Sequence, residues 1–398
     1  MARILLLTQV LPFPPDSGPK VKTYNVLKYL ARQHEVTLVS FARGDQSADI
    51  AHLRRLCAAV HTAPMTRPVW RDALALGRSV LSGQPWMMVR DDRAEMRALI
   101  DAVCGAQHFD FVHADQLNMA QYARRARARA PGLKTVLDLH NALWVLYRRQ
   151  AANMGGPRKF LLERDWRLLK SYEAAVCAEF DHVMAVSDED RAALAEAGAA
   201  GADKITVIPI TVDGDEKPVV SRAANASHIL HIGTMYWPPN IDAIRWFIGE
   251  VLPLIHAERP DVVFDCVGSR PPQDLVELST RDRRINVTGY VADALPFHQQ
   301  AAVTVVPVLA GGGVRVKILD WMAQGMPIVT TTVGCEGIRV VDGESAMIAD
   351  TPGDFARAVL KVLADRALAD RLGVNARATF ERLYDYRAAL KPMDQLFT

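Results

Sequence analysis

An α/β fold in two domains is what this sequence predicts, and three observations predict it. Short apolar runs of strand length alternate with longer amphipathic segments along the chain, the pattern of parallel sheets covered by helices. The alternation lapses in a polar stretch near the middle and then restarts, and 398 residues are too many for one typical domain and comfortable for two. Late in the second half, a strand runs into three consecutive glycines and then a helix, the most chemically specific stretch of the chain.

In chain order, Ile4 to Thr8 reads as the first strand. The loop LPFPPDSGPK follows, whose prolines forbid helix, then an amphipathic helix from about Val21 to Arg32 and a second strand, Glu35 to Ser40. Gly18 stands where that helix starts. A loop at the C-terminal end of a first strand is a usual ligand position in an open α/β sheet, with an ordinary turn as the alternative. Lys20 and Lys22 either meet an acidic acceptor or belong to a solvated face. The stretch from Ala48 to Ile100 reads as helical with irregular breaks.

Phe109 to Ala114 returns as a strand and delivers Asp115 and Gln116, which suit the acceptor side of a cleft or a cap for the next helix. No acidic residue occurs from Gln116 to Leu137, while Arg124, Arg125, Arg127, Arg129 and Lys134 crowd together. Such a patch fits anionic lipid headgroups or a lipid-linked phosphate, or it is solubilising surface. TVLDLHN, Thr135 to Asn141, is a strand that brings Asp138 and His140 to the same side at its mouth. His140 is then a structural hydrogen-bonder or a reacting group, with Asp138 orienting it. Lys204 to Asp213 reads as the last strand of a first domain, residues 1–213. Gly214 to Ser227 is the linker, and residues 228–384 form the second domain.

The second domain opens with HILHIGTM, a strand ending at Gly233 and Thr234, and continues through strands at Val262 to Ser269 and Ile285 to Asp293. Its centre is the run Val303 to Thr331: a buried strand, then Gly311, Gly312 and Gly313, then a helix from about Val314 to Gly325, then a strand from Pro327. Glycines let a ligand touch the main chain, and the helix's free N–H groups point at the same spot. Arg315 and Lys317 put two cations at a helix N-terminus, where they oppose the dipole unless a strongly charged anion such as a diphosphate sits there. Asp320 follows a turn and a half later, where a carboxylate reaches a ribose hydroxyl. Two further helices, Phe355 to Arg371 and Ala376 to Phe397, end the chain.

Composition narrows the field. A net charge of +2 makes no case for nucleic acid, and five scattered cysteines read as reduced thiols of a cytosolic protein. No run approaches the roughly 20 apolar residues of a spanning helix, so a soluble protein able to sit on a membrane surface is expected. No Asp-x-Asp or His/Cys cluster has metal-ligand spacing, so no metal is expected.

The glycine run and its tail, Ala323, Gly325, Pro327, Ile328 and Val329, resemble the donor-binding signature of the retaining glycosyltransferases of family 4, in a glycine-rich Gly-Gly-Gly-x-Arg-x-Lys branch. Pro14-Pro15-x-x-Gly18 is similar to that family's first-loop pattern. The resemblance spans nearly the whole chain. It implies the GT-B architecture, two facing Rossmann-like domains around an interdomain cleft, with the last helix, residues 385–398, packing back on the first domain. It implies transfer of a hexose from a nucleotide-diphosphate sugar, as co-substrate and without another cofactor, to a glycan or lipid-linked acceptor in polysaccharide or envelope glycan synthesis.

By the same resemblance, Gly18, Gly233, Thr234, Tyr290, Val291, Gly311, Gly312, Gly313, Val314 and Asp320 bind the donor. His140 matches a histidine that faces the transferred sugar, with Asp138 orienting it. From the residues themselves, Arg315 and Lys317 are read as neutralising the departing diphosphate, and Lys20, Lys22, Asp115 and Gln116 are the acceptor-side candidates, with the alternatives given above. Two departures stand out. Gly312 occupies the first acidic position of the signature, and the loop after Gly233 lacks the usual Arg and Lys, whose work Arg315 and Lys317 would take over. A sugar-nucleotide epimerase and a non-catalytic nucleotide-sugar-binding subunit are the rival readings.

Overall fold

The computed structural model describes residues 1–152, 154–198 and 204–397. They fall into two compact units. Met1–Thr211 is joined by the chain from Ala389 onward, and Val212–Ala388 forms the other.

The first unit is built on seven parallel strands: β1 Arg3–Thr8, β2 Glu35–Ala42, β3 Ala59–Pro64, β4 Phe111–Asp115, β5 Lys134–Asp138, β6 His182–Ala185 and β7 Ile205–Val207. Their order is β3-β2-β1-β4-β5-β6-β7. Five successive residues of β1 and all five of β4 are buried, because helices cover both faces, so these strands read as unbroken apolar runs instead of alternating ones. Strand order reverses between β1 and β4, which opens a crevice at their C-terminal ends. The returning C-terminal segment is fastened here. The ring of Phe397 stacks on His113 with an interplanar angle of 3°, and the Tyr29 hydroxyl donates to Asp394 at 2.8 Å.

The second unit repeats the plan with six strands: β8 His228–Ile232, β9 Phe264–Val267, β10 Ile285–Val287, β11 Ala301–Val306, β12 Ile328–Thr330 and β13 Met347–Ile348. Their order, β10-β9-β8-β11-β12-β13, puts the matching crevice between β8 and β11. The Val316–Ala323 helix closes at Gly325, whose φ of +67° is left-handed. There the backbone of the Arg366–Leu383 helix comes so close that a Cβ on Gly373 would lie 2.1 Å from the Gly325 carbonyl oxygen.

Several expectations change. The region read as helical from Ala48 to Ile100 contains β3, a short edge strand ending in proline, where apolar periodicity is weak. Residues 214–227, polar enough to read as a linker, cluster with the second unit. Val220 is buried with its N–H on the Gln324 carbonyl, and Arg222 pairs with Asp370. The helix read from Phe355 to Arg371 breaks at Asp365, whose carboxylate accepts the Leu368 N–H and caps a new helix. The final helix stops at Leu383 and gives way to the short turns Tyr386–Ala389 and Lys391–Gln395, and Thr398 lies outside the described residues.

The basic patch is also corrected. Arg124 pairs with Glu179 at 2.6 Å, Arg125 and Arg129 share Asp101, and Arg127 reaches Asp181. The acids come from elements 24 to 55 residues away, so a local charge count cannot see them. No helix among the described residues is long and apolar enough to cross a membrane.

Candidate functional site

In the second unit the chemistry gathers at the β8/β11 crevice. β11 ends at Val306 and the chain crosses Gly311 at φ +133° and Gly313 at φ +83° before the Val316–Ala323 helix begins. Those angles suit glycine, and both residues let the loop fold tightly over the helix start. Gly312 has an ordinary φ and is exposed. Arg315 occupies the N-cap position with its side chain only 10% exposed, bonded back to the Gly313 carbonyl and 4.0 Å from Glu336. A Cβ on Gly311 would come within 3.3 Å of the guanidinium, tight enough that Arg315 would have to shift.

Lys317 crosses to β8. Its ammonium would lie 2.7 Å from a Cβ placed on Gly233, and it stands 3.5 Å from Nε2 of His231. His231 is fully buried and donates Nδ1–H to the Val305 carbonyl at 3.0 Å, which leaves Nε2 as a lone pair facing Lys317. Burial, with Lys317's charge beside it, holds this imidazole well below its ordinary range and therefore neutral. Burial also pushes the Lys317 ammonium down to about 8, Arg315 adding to the effect and Cys266 opposing it. Two cations brought to one helix start, beside glycine backbone, suit an anion.

The remaining donor candidates are distributed unevenly. Thr234 is exposed, and its carbonyl accepts from Asn240 at 3.0 Å. Val314 is half-buried in the glycine loop. Asp320 is half-buried and paired with Lys217 at 3.3 Å, so a ribose hydroxyl would have to share it. Burial raises its carboxyl while Lys217 opposes that. Tyr290, 80% exposed, and Val291 follow β10, three strand positions from β11.

Sequence reasoning missed His231 and Arg270. The latter is a non-glycine residue at φ +57°, with its guanidinium 5.2 Å from the Tyr236 ring centre. It reaches the Gly233 loop because Gly268 touches Gly233: a Cβ there would lie 1.7 Å from the Gly233 carbonyl oxygen. The signal available was the left-over cation after a strand-end glycine.

In the first unit a buried polar cluster fills the β1/β4 crevice, and it rearranges the predicted roles. Lys22 is completely buried and bonds Asp138, so it is neither solvated nor free for an acceptor. Asp138 therefore does not orient His140. Asp115 does, accepting from Nε2 of His140 at 3.0 Å and from the Thr23 hydroxyl at 2.9 Å. A carboxylate only accepts, so Nε2 carries a proton, while Nδ1 is buried without a protein partner. Burial tends to raise the Asp138 carboxyl, but Lys22, His113 and His140 outweigh it and hold it below the usual range.

Asp115 thus faces inward, on Thr23 and His140, and the turn that follows it has no side-chain cap. Gln116 stands at φ +72°, a strained angle for this residue, with its N–H on the Asp138 carbonyl at 2.8 Å. Lys20 pairs with Asp16 at 3.0 Å, and Gly18 is the first residue of the Gly18–Leu30 helix.

The loop after His140 is pinned by two acidic side chains, Glu173 fully buried and Asp190 half-buried. Asp190 accepts the Ala142 N–H at 2.7 Å, and Glu173 accepts those of Leu143 and Trp144 at 2.9 and 3.0 Å. Burial raises both acids, Glu173 to about 8 despite the two donors.

Asp115, Asp138 and His140 bring three potential metal-ligand atoms within 4.8 Å of one another, a grouping that sequence spacing concealed. The Lys22 ammonium already bonds Asp138, so a divalent ion would be set against a buried cation, and this donor set fits a metal poorly.

Residues 17–216 match the family described as Glycosyltransferase Family 4, and residues 226–365 match Glycosyl transferases group 1. An uncharacterized 44.6 kDa protein in the cps region of Klebsiella pneumoniae is 21% identical over 398 residues, spanning 97% of each chain. Glycogen synthase of Mycobacterium tuberculosis is 24% identical over 243 residues, 58% of this chain and 57% of that one. Among solved structures, Anabaena HepE in complex with UDP and glucose superimposes with a TM-score of 0.69 at 15% identity, covering 100% of this chain and 99% of that one. The shared fold is the GT-B architecture.

Proposed function

The chain belongs to glycosyltransferase family 4, and from that premise we propose that it moves a hexose from a nucleotide-diphosphate sugar to a glycan or lipid-linked acceptor, with retention at the anomeric carbon. The observation that carries this reading is the convergence of Lys317, the Gly233 strand end and the Arg315 N-cap on one crevice. Positive charge crowded against glycine backbone at a helix start suits a diphosphate. As the glycosidic bond breaks, negative charge grows on the departing diphosphate, and preorganised N–H groups and the two cations stabilise it. That HepE, of like fold, was crystallised with UDP and glucose supports a nucleotide-sugar donor.

In this reading the Gly-Gly-Gly-x-Arg-x-Lys loop is a variant in which Arg315 and Lys317 replace the cations missing after Gly233. No metal is needed, since fixed cations do its work. In the first unit, His140, oriented by Asp115, serves the transferred sugar.

The test is a thermal-shift screen with UDP, GDP, ADP and TDP, with and without magnesium. One diphosphate should stabilise the protein by about 2.7 kcal/mol at a hundred times its Kd. The effect should persist in EDTA and fall in Arg315→Ala. Stabilisation by none of the four would refute the donor site. NMR of the product's anomeric proton then tests retention.

A further inference from the structure

The Val69–Ser82 helix is inverted. The residues it buries are Ala75 and Ser79, while Trp70 and Leu74 are each 59% exposed, Val80 56% and Leu81 89%. Positions 70, 74, 77 and 81 share one stripe of a helix, and a surface helix normally turns such a stripe to the core. A neighbouring helix packs on the opposite, buried side and adds apolar surface of its own. Arg164 of the Pro157–Glu179 helix donates to the Ser79 carbonyl at 2.6 Å and to its hydroxyl at 3.1 Å, and the first two turns of that helix expose Phe160 at 73% and Leu161 at 45%. Between the two lies a cavity of about 460 Å³ lined by Leu76, Trp86, Tyr147, Met154, Leu161 and Leu162.

Cations are interspersed with these apolar groups. Arg71 stacks over Trp70 at 5.2 Å and Arg78 lies on the same helix, which also carries Asp72, while residues 148–162 bring Arg148, Arg149, Arg158 and Lys159, the last 3.9 Å from Glu163; basic residues outnumber acidic ones across the two segments. A second copy of the chain is a poor occupant, because a two-fold contact would bring the same basic face against itself. A surface that is apolar at depth and negative at its rim complements both features.

We propose that this face docks on an anionic lipid bilayer, the Val69–Ser82 helix lying in the headgroup plane with Trp70, Leu74 and Leu81 inserted and the arginines on lipid phosphates. The cavity offers room for an apolar chain displaced by the insertion. This surface is separate from the paired arginines at positions 124–129, and the proposal does not depend on the transfer reaction.

Sedimentation of the full-length protein with vesicles tests it. The wild type should bind phosphatidylglycerol-containing vesicles, bind phosphatidylcholine alone weakly, and release in about 0.5 M salt. The double variant Leu81→Ser/Phe160→Ser and the variant Arg71→Gln/Arg158→Gln should each bind about tenfold more weakly. Arg124→Gln should bind like wild type, and circular-dichroism melts should match throughout, since the altered side chains are on the surface. Failure of the wild type to bind anionic vesicles, or equal binding by wild type and both double variants, overturns the proposal. If the unbound wild type is also a dimer that Leu81→Ser/Phe160→Ser dissociates, the face is instead a self-interface.

Discussion

Lys22 and Asp138 form an ion pair in which neither side chain has any exposed surface, joining the second turn of the Gly18–Leu30 helix to the end of β5 across 116 residues of sequence. Truncating either partner strands a buried charge. Lys22→Met should therefore destabilise the first unit by about 3–5 kcal/mol in urea melts, and the double change Lys22→Met/Asp138→Leu should recover much of the loss. The Asp138 carboxyl is held below its ordinary range, so its contribution is present above the unfolded value of about 4 and is lost as pH falls through the lower folded value. Lys22→Met should flatten that acid limb.

Glu173 works in the opposite direction. With its folded value raised to about 8, the folded state holds a proton that the unfolded state has released above about 4. Stability should therefore fall as pH climbs between these values, by up to about 1.4 kcal/mol per pH unit from this group. Glu173→Gln imitates the protonated acid and should remove that slope, a difference readable in urea melts at pH 5 to 8.

The donor site should also be sensitive to pH, on its alkaline side. Lys317 titrates near 8, and a diphosphate favours its charged form. UDP affinity measured by calorimetry should weaken by up to about tenfold per unit as pH rises through this value. Lys317→Met should bind more weakly at pH 7 and show a flatter profile.

His140→Ala should lower kcat by about a hundredfold or more while leaving the Kd for nucleotide near wild type. Asp115→Asn frees Nε2 from its carboxylate and should give a smaller loss of the same kind. Equal weakening of nucleotide binding would instead assign His140 to the donor's own contacts.

Much of the fold was legible because buried parallel strands announce themselves as short apolar runs, as at β1, β4 and β11. The edge strand β3 did not, having few buried positions to impose a pattern. The glycine loop with Arg315 and Lys317 was legible because its residues are adjacent in sequence. The pairing of Lys22 with Asp138 and of His140 with Asp115 was not, because parallel crossovers bring together residues 116 and 25 positions apart. Local charge counting misread the arginines at 124–129 for the same reason, their acids being on other elements. The inverted helix was passed over because helical periodicity reveals a stripe and not the direction it faces.

The discontinuity of the first unit has a consequence for synthesis. Phe397 stacks on His113, and Asp394 accepts from Tyr29, yet both are translated only after every residue from Val212 to Ala388. On the ribosome, the half that is made first is thus the last to be completed. While the later half emerges, the ring of His113 and the apolar surface around Phe111 await their cover. A nascent chain arrested before Ala389 should present that surface to chaperones and proteases, and its protection should arrive only with the final turns.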